Sequence, residues 1–241
     1  MRGIFKRKKE LKEWELNSTV LSISTEGCGV WVDQHGVQYS SDKKKLLKGN
    51  KALTKYDIIY GCEVIADSAF YQSTNLQSIT MPETLVIIND GAFYGCISLQ
   101  TVLMPNSVTI VGDSAFYDCR KLYYVRLSKS LSSIGYWTFW GCIKLDAIII
   151  PKSIAHIRAS AFGRCKELRE VIIPENTLRI EDSAFRRCKK LESITLPNSL
   201  IHFDASAISE CVELKSIYIK RNNPFLISNQ GDVFLRFPDG K

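Results

Sequence analysis

The stretch Leu99-Gln-Thr-Val-Leu-Met-Pro-Asn-Ser-Val-Thr-Ile-Val-Gly-Asp-Ser-Ala-Phe-Tyr-Asp-Cys-Arg-Lys121 decides the fold, because the chain repeats it with a period of 23 residues. Cys96, Cys119, Cys142, Cys165, Cys188 and Cys211 keep that step. Leu76, Leu99, Leu122, Leu145, Leu168, Leu191 and Leu214 keep it too. A third column runs Phe70, Phe93, Phe116, Phe139, Phe162 and Phe185, with Ile208 closing it. Pro82, Pro105, Pro151, Pro174 and Pro197 form a fourth, interrupted by Ser128. Several independent columns in one register mark a repeat architecture.

Each unit reads physically. Leu99, Val102 and Met104 alternate with Thr101 and Leu103, so the first three point inward along a short strand and the other two outward. Pro105 ends the strand by removing a backbone donor. A small polar residue follows in register (Thr84, Ser107, Ser130, Ser153, Asn176, Ser199) and suits a bend whose backbone groups need partners. A second inward pair comes next, such as Val108 with Val111 or Leu131 with Ile134. Asp-Ser-Ala-Phe then suggests one short helical turn capped by Asp67, Asp90, Asp113 or Asp182. A 23-residue unit cannot bury its apolar side alone, so neighbours must stack into a solenoid. Equivalent strands then lie in one parallel sheet of about 29 Å, at about 4.8 Å per step.

Here the chain resembles the BspA-like leucine-rich repeats, through L-x-x-I-x-[LMI]-P, then Ile, then A-F-x-x-C, over about residues 57–219. The resemblance implies a right-handed leucine-rich-repeat solenoid of the α/β type, dominated by β structure, with short helical or 3-10 turns. It also implies a binding role, since members of that family are often surface proteins that attach to host matrix proteins or other cells. The organisation expected is a basic lead (1–16), a β-rich N-terminal cap of short antiparallel strands (17–56), the solenoid (57–219) and a C-terminal cap (220–241). The stretch Gly36-Val-Gln-Tyr-Ser-Ser-Asp-Lys-Lys-Lys-Leu resembles the family's cap. Pro224-Phe-Leu-Ile and Val233-Phe-Leu-Arg-Phe suggest a closing hairpin.

Composition is compatible with this reading. The 241 residues are 45% hydrophobic and 24% charged, as in a packed globular chain rather than a disordered one. No stretch approaches the roughly 20 apolar residues of a spanning helix. Net charge is +7, and residues 1–13 supply +4 of it. That lead has no apolar run behind it, so it is not a secretory signal. If Met1 is the native start, the chain is expected in the cytoplasm, the alternative being the cell surface or secretion.

The sequence argues against catalysis. Six thiols in a line do not offer a tetrahedral site, and without an export signal they read as buried small hydrophobes. Cys62 falls in the column of Leu85 and Val108 and reads the same way, while Cys28 sits in the cap. His35, His156 and His202 lie in no catalytic constellation and read as solvated or satisfied. Neither metal nor cofactor is expected.

Function should then lie in outward columns that vary between repeats. One runs Ser78, Thr101, Tyr124, Ala147, Glu170, Ser193, Ser216; the next runs Thr80, Leu103, Arg126, Ile149, Ile172, Thr195, Tyr218. Leu103, Tyr124, Arg126, Ile149, Glu170, Ile172 and Tyr218 are therefore the expected partner-binding residues of a monomeric, non-catalytic protein–protein scaffold. A surface adhesin taking a matrix protein or glycan is the alternative. Tyr71, Tyr94, Tyr117 and Trp140 form an aromatic column better read as a packing spine than as a sugar platform. Arg120, Arg164, Lys166, Arg186, Arg187 and Lys189 form a basic edge. Its plainer reading is a solvated surface. As a ligand site it would draw acidic proteins, sulfated sugars or nucleic acid by charge, without specific nucleic-acid readout.

Overall fold

The structure, a computed structural model, describes residues 29–219. The basic lead, Cys28, most of the cap before Gly29 and the closing hairpin of 220–241 lie outside the described residues. The architecture is a β-solenoid of about eight turns, with parallel sheets and almost no helix.

Every rung has three sides. The first is a strand of three or four residues: β4 (Lys55–Asp57), β6 (Ser78–Thr80), β8 (Thr101–Leu103), β10 (Tyr124–Arg126), β13 (Glu170–Ile172), β15 (Ser193–Leu196) and β17 (Ser216–Ile219). Their middle residues Tyr56, Ile79, Val102, Val125, Val171 and Ile194 are buried, and the flanking residues face away from the core. Neighbouring strands pair parallel at 23-residue register, as in Tyr124 with Thr101 and Glu170 with Ser193. The proline then turns the chain. Its carbonyl accepts from the residue three ahead, as in Val108 N–H to Pro105 O (3.1 Å) and Ile154 N–H to Pro151 O (3.1 Å).

The second side is a two-residue strand, and it forms a ladder that the sequence reading treated only as an inward pair. It comprises β5 (Val64–Ile65), β7 (Ile87–Ile88), β9 (Ile110–Val111), β11 (Ser133–Ile134), β12 (His156–Ile157), β14 (Arg179–Ile180) and β16 (His202–Phe203). An antiparallel meander leads into it: β1 (Val30–Val32), β2 (Gln38–Ser40) and β3 (Lys45–Lys48), with β3 pairing parallel to β5. A buried hydroxyl pair, Tyr39 to Tyr56 at 2.7 Å, ties this meander to the first rung.

The third side is a turn, where a helical turn was expected. Backbone in the left-handed region recurs every fourth residue, at Ser68 and Gln72, Ser114 and Asp118, Ser160 and Arg164, Ser183 and Arg187. Such residues interrupt a right-handed helix. Only Ala205–Ile208 makes a 3-10 turn among the described residues, capped by Asp204. The aspartates act differently from helix caps. Asp90 Oδ1 accepts from Asp113 N–H (2.8 Å) and Asp113 Oδ1 from Tyr136 N–H (3.0 Å), so each bonds forward to the next rung. The turns also form a backbone ladder of their own, as in Phe93 N–H to Ala115 O (2.8 Å) and Phe116 N–H to Thr138 O (2.9 Å).

The small polar column satisfies bends at several rungs, through the preceding rung, but not at Ser107, whose buried Oγ has no hydrogen-bond partner. Thr84 donates to Cys62 O (2.8 Å), Ser130 to Asn106 O (2.7 Å) and Asn176 to Lys152 O (3.0 Å). Inside, the six phenylalanine rings stack nearly parallel at 5.2 to 5.5 Å. Each thiol sits under them. Cys96 Sγ donates to Phe70 O (3.1 Å) and Cys119 Sγ to Phe93 O (3.3 Å), and the pattern runs to Cys211.

The single unbroken sheet anticipated above is corrected in one place. The first ladder is split: after β10 the next rung contributes only a bridge, Ala147 with Glu170. The second ladder stops at β9 and resumes at β11. Both interruptions fall around the one rung where the unit changes most: Ser128 replaces proline, and Tyr136-Trp137-Thr138 replaces Asp-Ser-Ala. Trp137 takes the left-handed position (φ 53°) that Ser68, Gly91, Ser114, Ser160 and Ser183 hold in other rungs. A bulky residue there costs on the order of 1–3 kcal/mol. At this rung the two strand ladders are interrupted, while the turn ladder and the phenylalanine stack run through. A shallow apolar crevice marks the spot, lined by Val111, Leu127, Leu131, Ile134 and Phe139 among others.

Candidate interaction face

The first ladder displays all seven residues expected on it. Leu103, Tyr124, Arg126, Ile149, Glu170, Ile172 and Tyr218 are exposed, Ile149 at 85% and Ile172 at 60%. The strands explain why: with the middle residue of each strand inward, its neighbours must face solvent. The ladder brings some of the seven together. Arg126 lies opposite Leu103 in register, and Ala147 bridges Glu170, which puts Ile149 on the rung beside Ile172. Thr195 separates Ile172 from Tyr218. The break between β10 and Ala147 divides the patch into an N-terminal half with Leu103, Tyr124 and Arg126 and a C-terminal half with Ile149, Glu170 and Ile172. Ile149 owes its exposure to this break, since residues 147–149 form no strand.

Tyr123 belongs to the same patch and was passed over. It is half exposed beside Tyr124. The signal was available: its column reads Gln77, Gln100, Tyr123, Asp146, Arg169, Glu192, polar everywhere else. Arg126 has no ion-pair partner among the described residues, nor has Glu170, so both charges are open to a ligand. Several glutamates elsewhere are engaged by cations one rung away. Glu192 is held below the usual carboxylate range by hydrogen bonding to Lys215 (2.9 Å), as is Glu167 by Lys190 (2.6 Å).

The remaining candidates sort themselves by geometry. Tyr71, Tyr94 and Tyr117 stack at 5.2 and 4.5 Å, so their faces cover one another. Trp140 lies flat on the buried Gly163, where a Cβ would collide with its ring. Replacing Gly163 with alanine is therefore expected to cost about 1–3 kcal/mol, read as a lowered denaturation midpoint. On the basic edge, Arg120 pairs with Asp118 (2.7 Å), and Arg186 and Arg187 share Glu210. Arg164, Lys166 and Lys189 have no ion pair among the described residues. His156 departs from the expectation of a satisfied ring. Its Nδ1 is buried with no hydrogen-bond partner, and burial together with Arg158 and Arg179 holds its pKa below the ordinary value. Among the described residues no group of three His, Cys, Asp or Glu side chains is placed to hold a metal ion, and no helix is long and apolar enough to cross a membrane.

A family model for the BspA type leucine rich repeat region, in six copies, matches residues 43–169 and 155–230. The chain belongs to that family. Two solved structures share the fold. A leucine-rich repeat protein from Eubacterium ventriosum is 23% identical over 85% of this chain, with a TM-score of 0.72. The chain spans 54% of that protein's length. The T. pallidum leucine rich repeat protein is 20% identical, with 79% of this chain and 78% of that one covered and a TM-score of 0.50. No curated protein matches the sequence. Within the BspA-type unit, the columns conserved from rung to rung are the inward ones, and the outward ones described above are where this chain differs from itself.

Proposed function

We propose that the chain is a non-catalytic scaffold that recognises a protein partner through the outward face of its first ladder. The observation that carries this reading is Ile149. An isoleucine with 85% of its surface in water, on the rung beside the exposed Ile172, with Leu103 and Tyr124 exposed on the same side across the break, is apolar exposure of the kind interfaces bury. Tyrosine and arginine at the centre of such a patch are the residue types that carry most binding energy. Arg126 supplies an uncommitted cation, and the rigid parallel ladder presents it without ordering cost. Tyr123 extends the patch toward the turn.

The test is capture from lysate and, separately, from extracellular-matrix extract, with the intact chain and Y124A/R126E as paired baits read by mass spectrometry. A partner held by the first and lost by the second is expected, with affinity lowered by about 30-fold if one hot spot of about 2 kcal/mol is removed. The variant's melting point should stay put, because both side chains are exposed. Partners captured equally by both baits would end the assignment to this face.

A further inference from the structure

We propose that the turn side of the C-terminal rungs is a binding edge for a sulfated polysaccharide chain, separate from the ladder face. The first observation is charge segregation. The five turn segments 117–121, 140–144, 163–167, 186–190 and 209–213 carry nine cations and four carboxylates, net +5. Residues 29–219 as a whole carry 22 cations and 19 carboxylates, net +3. Outside the edge, residues 29–219 carry 13 cations and 15 carboxylates, net −2, so the edge is the positive pole of the described solenoid. The corresponding turns nearer the N-terminus, 71–75 and 94–98, carry no charge at all.

The second observation is alignment. The backbone under these side chains is a hydrogen-bonded ladder: Asp118 N–H to Trp140 O (2.7 Å), Gly141 N–H to Gly163 O (2.8 Å), Arg164 N–H to Arg186 O (2.7 Å), Arg187 N–H to Ser209 O (2.9 Å). Arg164 and Arg187 share the same left-handed backbone, at φ 61° and 60°, so they leave the coil in the same direction one rung apart. Lys166 with Lys189, and Lys121 with Lys144, repeat that relation at one-rung steps of about 4.8 Å. Buried cysteines beside them anchor each turn to the core.

The third observation is how little of this charge is spent. Asp118 is taken by Arg120, Glu167 by Lys190, and Glu210 by Arg186 and Arg187. The six aligned cations lose only Arg187 to these pairs. Lys121, Lys144, Arg164, Lys166 and Lys189 have no ion pair among the described residues. They line the solenoid axis over four rungs, about 14 Å.

The occupant that fits is an extended chain of singly placed anions. A nucleic acid would gain most from a run of base stacking, and the rings beside this edge are few and each has a face taken, Tyr117 by Tyr94 and Trp140 by Gly163. A sulfated polysaccharide asks only for point cations along a line.

Heparin is the probe, with the full chain, at low and at near-physiological salt. The edge variant is R164E/K166E/K189E. Its control is K48E/K51E/K55E, which changes net charge by the same amount at exposed sites far from the edge. Binding is expected to weaken steeply with salt. The edge variant should lose at least 30-fold in affinity and the control less than 3-fold, with desulfated heparin failing to bind. Single-stranded DNA and anionic phospholipid vesicles run as parallel arms and should bind at least 10-fold more weakly. Equal losses in the two variants would mean that net charge, rather than this edge, attracts heparin, and would overturn the proposal. So would no heparin binding at low salt, or DNA or vesicles binding as tightly with the same dependence on the edge.

Discussion

Raising the pH from about 8 to about 11 is expected to unfold the solenoid cooperatively, across the range in which ordinary thiols ionise. Cys62, Cys96, Cys119, Cys142, Cys165 and Cys188 are fully buried among phenylalanine and leucine. Burial pushes the Cys62 thiol up to about 11 and Cys96 to about 12, and holds Cys119, Cys142, Cys165 and Cys188 well above the usual value. These are acids whose neutral form the folded state prefers. Below the unfolded thiol value, near 8.5, both states hold every proton and stability is whole. Above it the unfolded chain binds fewer protons than the folded one, so stability falls as pH rises, until the folded thiols themselves ionise. Each thiol removes about 1.4 kcal/mol per pH unit in that window. With Cys211, which burial likewise pushes up to about 11, seven thiols together remove roughly 10 kcal/mol per pH unit, against a total stability on the order of 5–15 kcal/mol. The buried phenols of Tyr39 and Tyr56, both raised chiefly by burial, add to the same trend at higher pH. Far-UV circular dichroism under reducing conditions follows the transition. A C119A/C142A variant should lose somewhat over a quarter of the thiol-driven steepness, since it removes two of the seven described thiols, Cys211 included, whose pKa burial raises. An alkaline transition indifferent to that variant would show that the thiols do not drive it.

The same ladder shows why parts of this molecule were legible in its sequence and parts were not. Phe116, Cys119 and Leu122 could be placed inside because every rung repeats the same packing problem, and a column of identical solutions is visible in one chain. Tyr124 and Ile149 could be placed outside by alternation alone. The second ladder was harder to see, because two residues such as Ile87–Ile88 give no alternation to detect. The turn was misread because Asp113 reads as a helix cap in sequence, whereas in the fold Ser114 after it takes up left-handed backbone and Asp113 itself accepts from Tyr136 N–H in the next rung. Trp137 stood in plain view, a tryptophan in a column of serine and glycine, yet alternation and column identity do not say whether neighbouring strands pair at that rung. The charges were readable and went unread. Arg187 and Glu210, Glu167 and Lys190, and Glu192 and Lys215 are each one period apart, so opposite charges in one column announce ion pairs between rungs.

Phe116→Ala is expected to be the most damaging single truncation in the interior. Its ring lies between Phe93 at 5.2 Å and Phe139 at 5.5 Å, wholly buried. Removing a buried phenylalanine costs about 3–5 kcal/mol through lost burial and the void left behind. Two neighbouring rings lose a stacking face as well, each contact contributing about 0.5–1.5 kcal/mol beyond its area. A melting point lower by roughly 10 °C follows for a chain of this size. Position adds a second effect. Stability in a solenoid is close to a sum over rungs and the interfaces between them, so a weak interface uncouples what lies on either side. Phe116 stacks across the interval where the second ladder is already interrupted between β9 and β11, and there the phenylalanine stack and the turn ladder hold the halves together. Its truncation should therefore broaden or split the thermal transition, which Phe185→Ala, flanked by continuous pairing of β14 with β16 and β15 with β17, should not. Leu103→Ala, on the exposed face, should move the midpoint by less than about 0.5 kcal/mol. Calorimetry distinguishes these outcomes. A single sharp transition for Phe116→Ala, lowered no further than that of Phe185→Ala, would mean that the interrupted rung is as tightly coupled as any other.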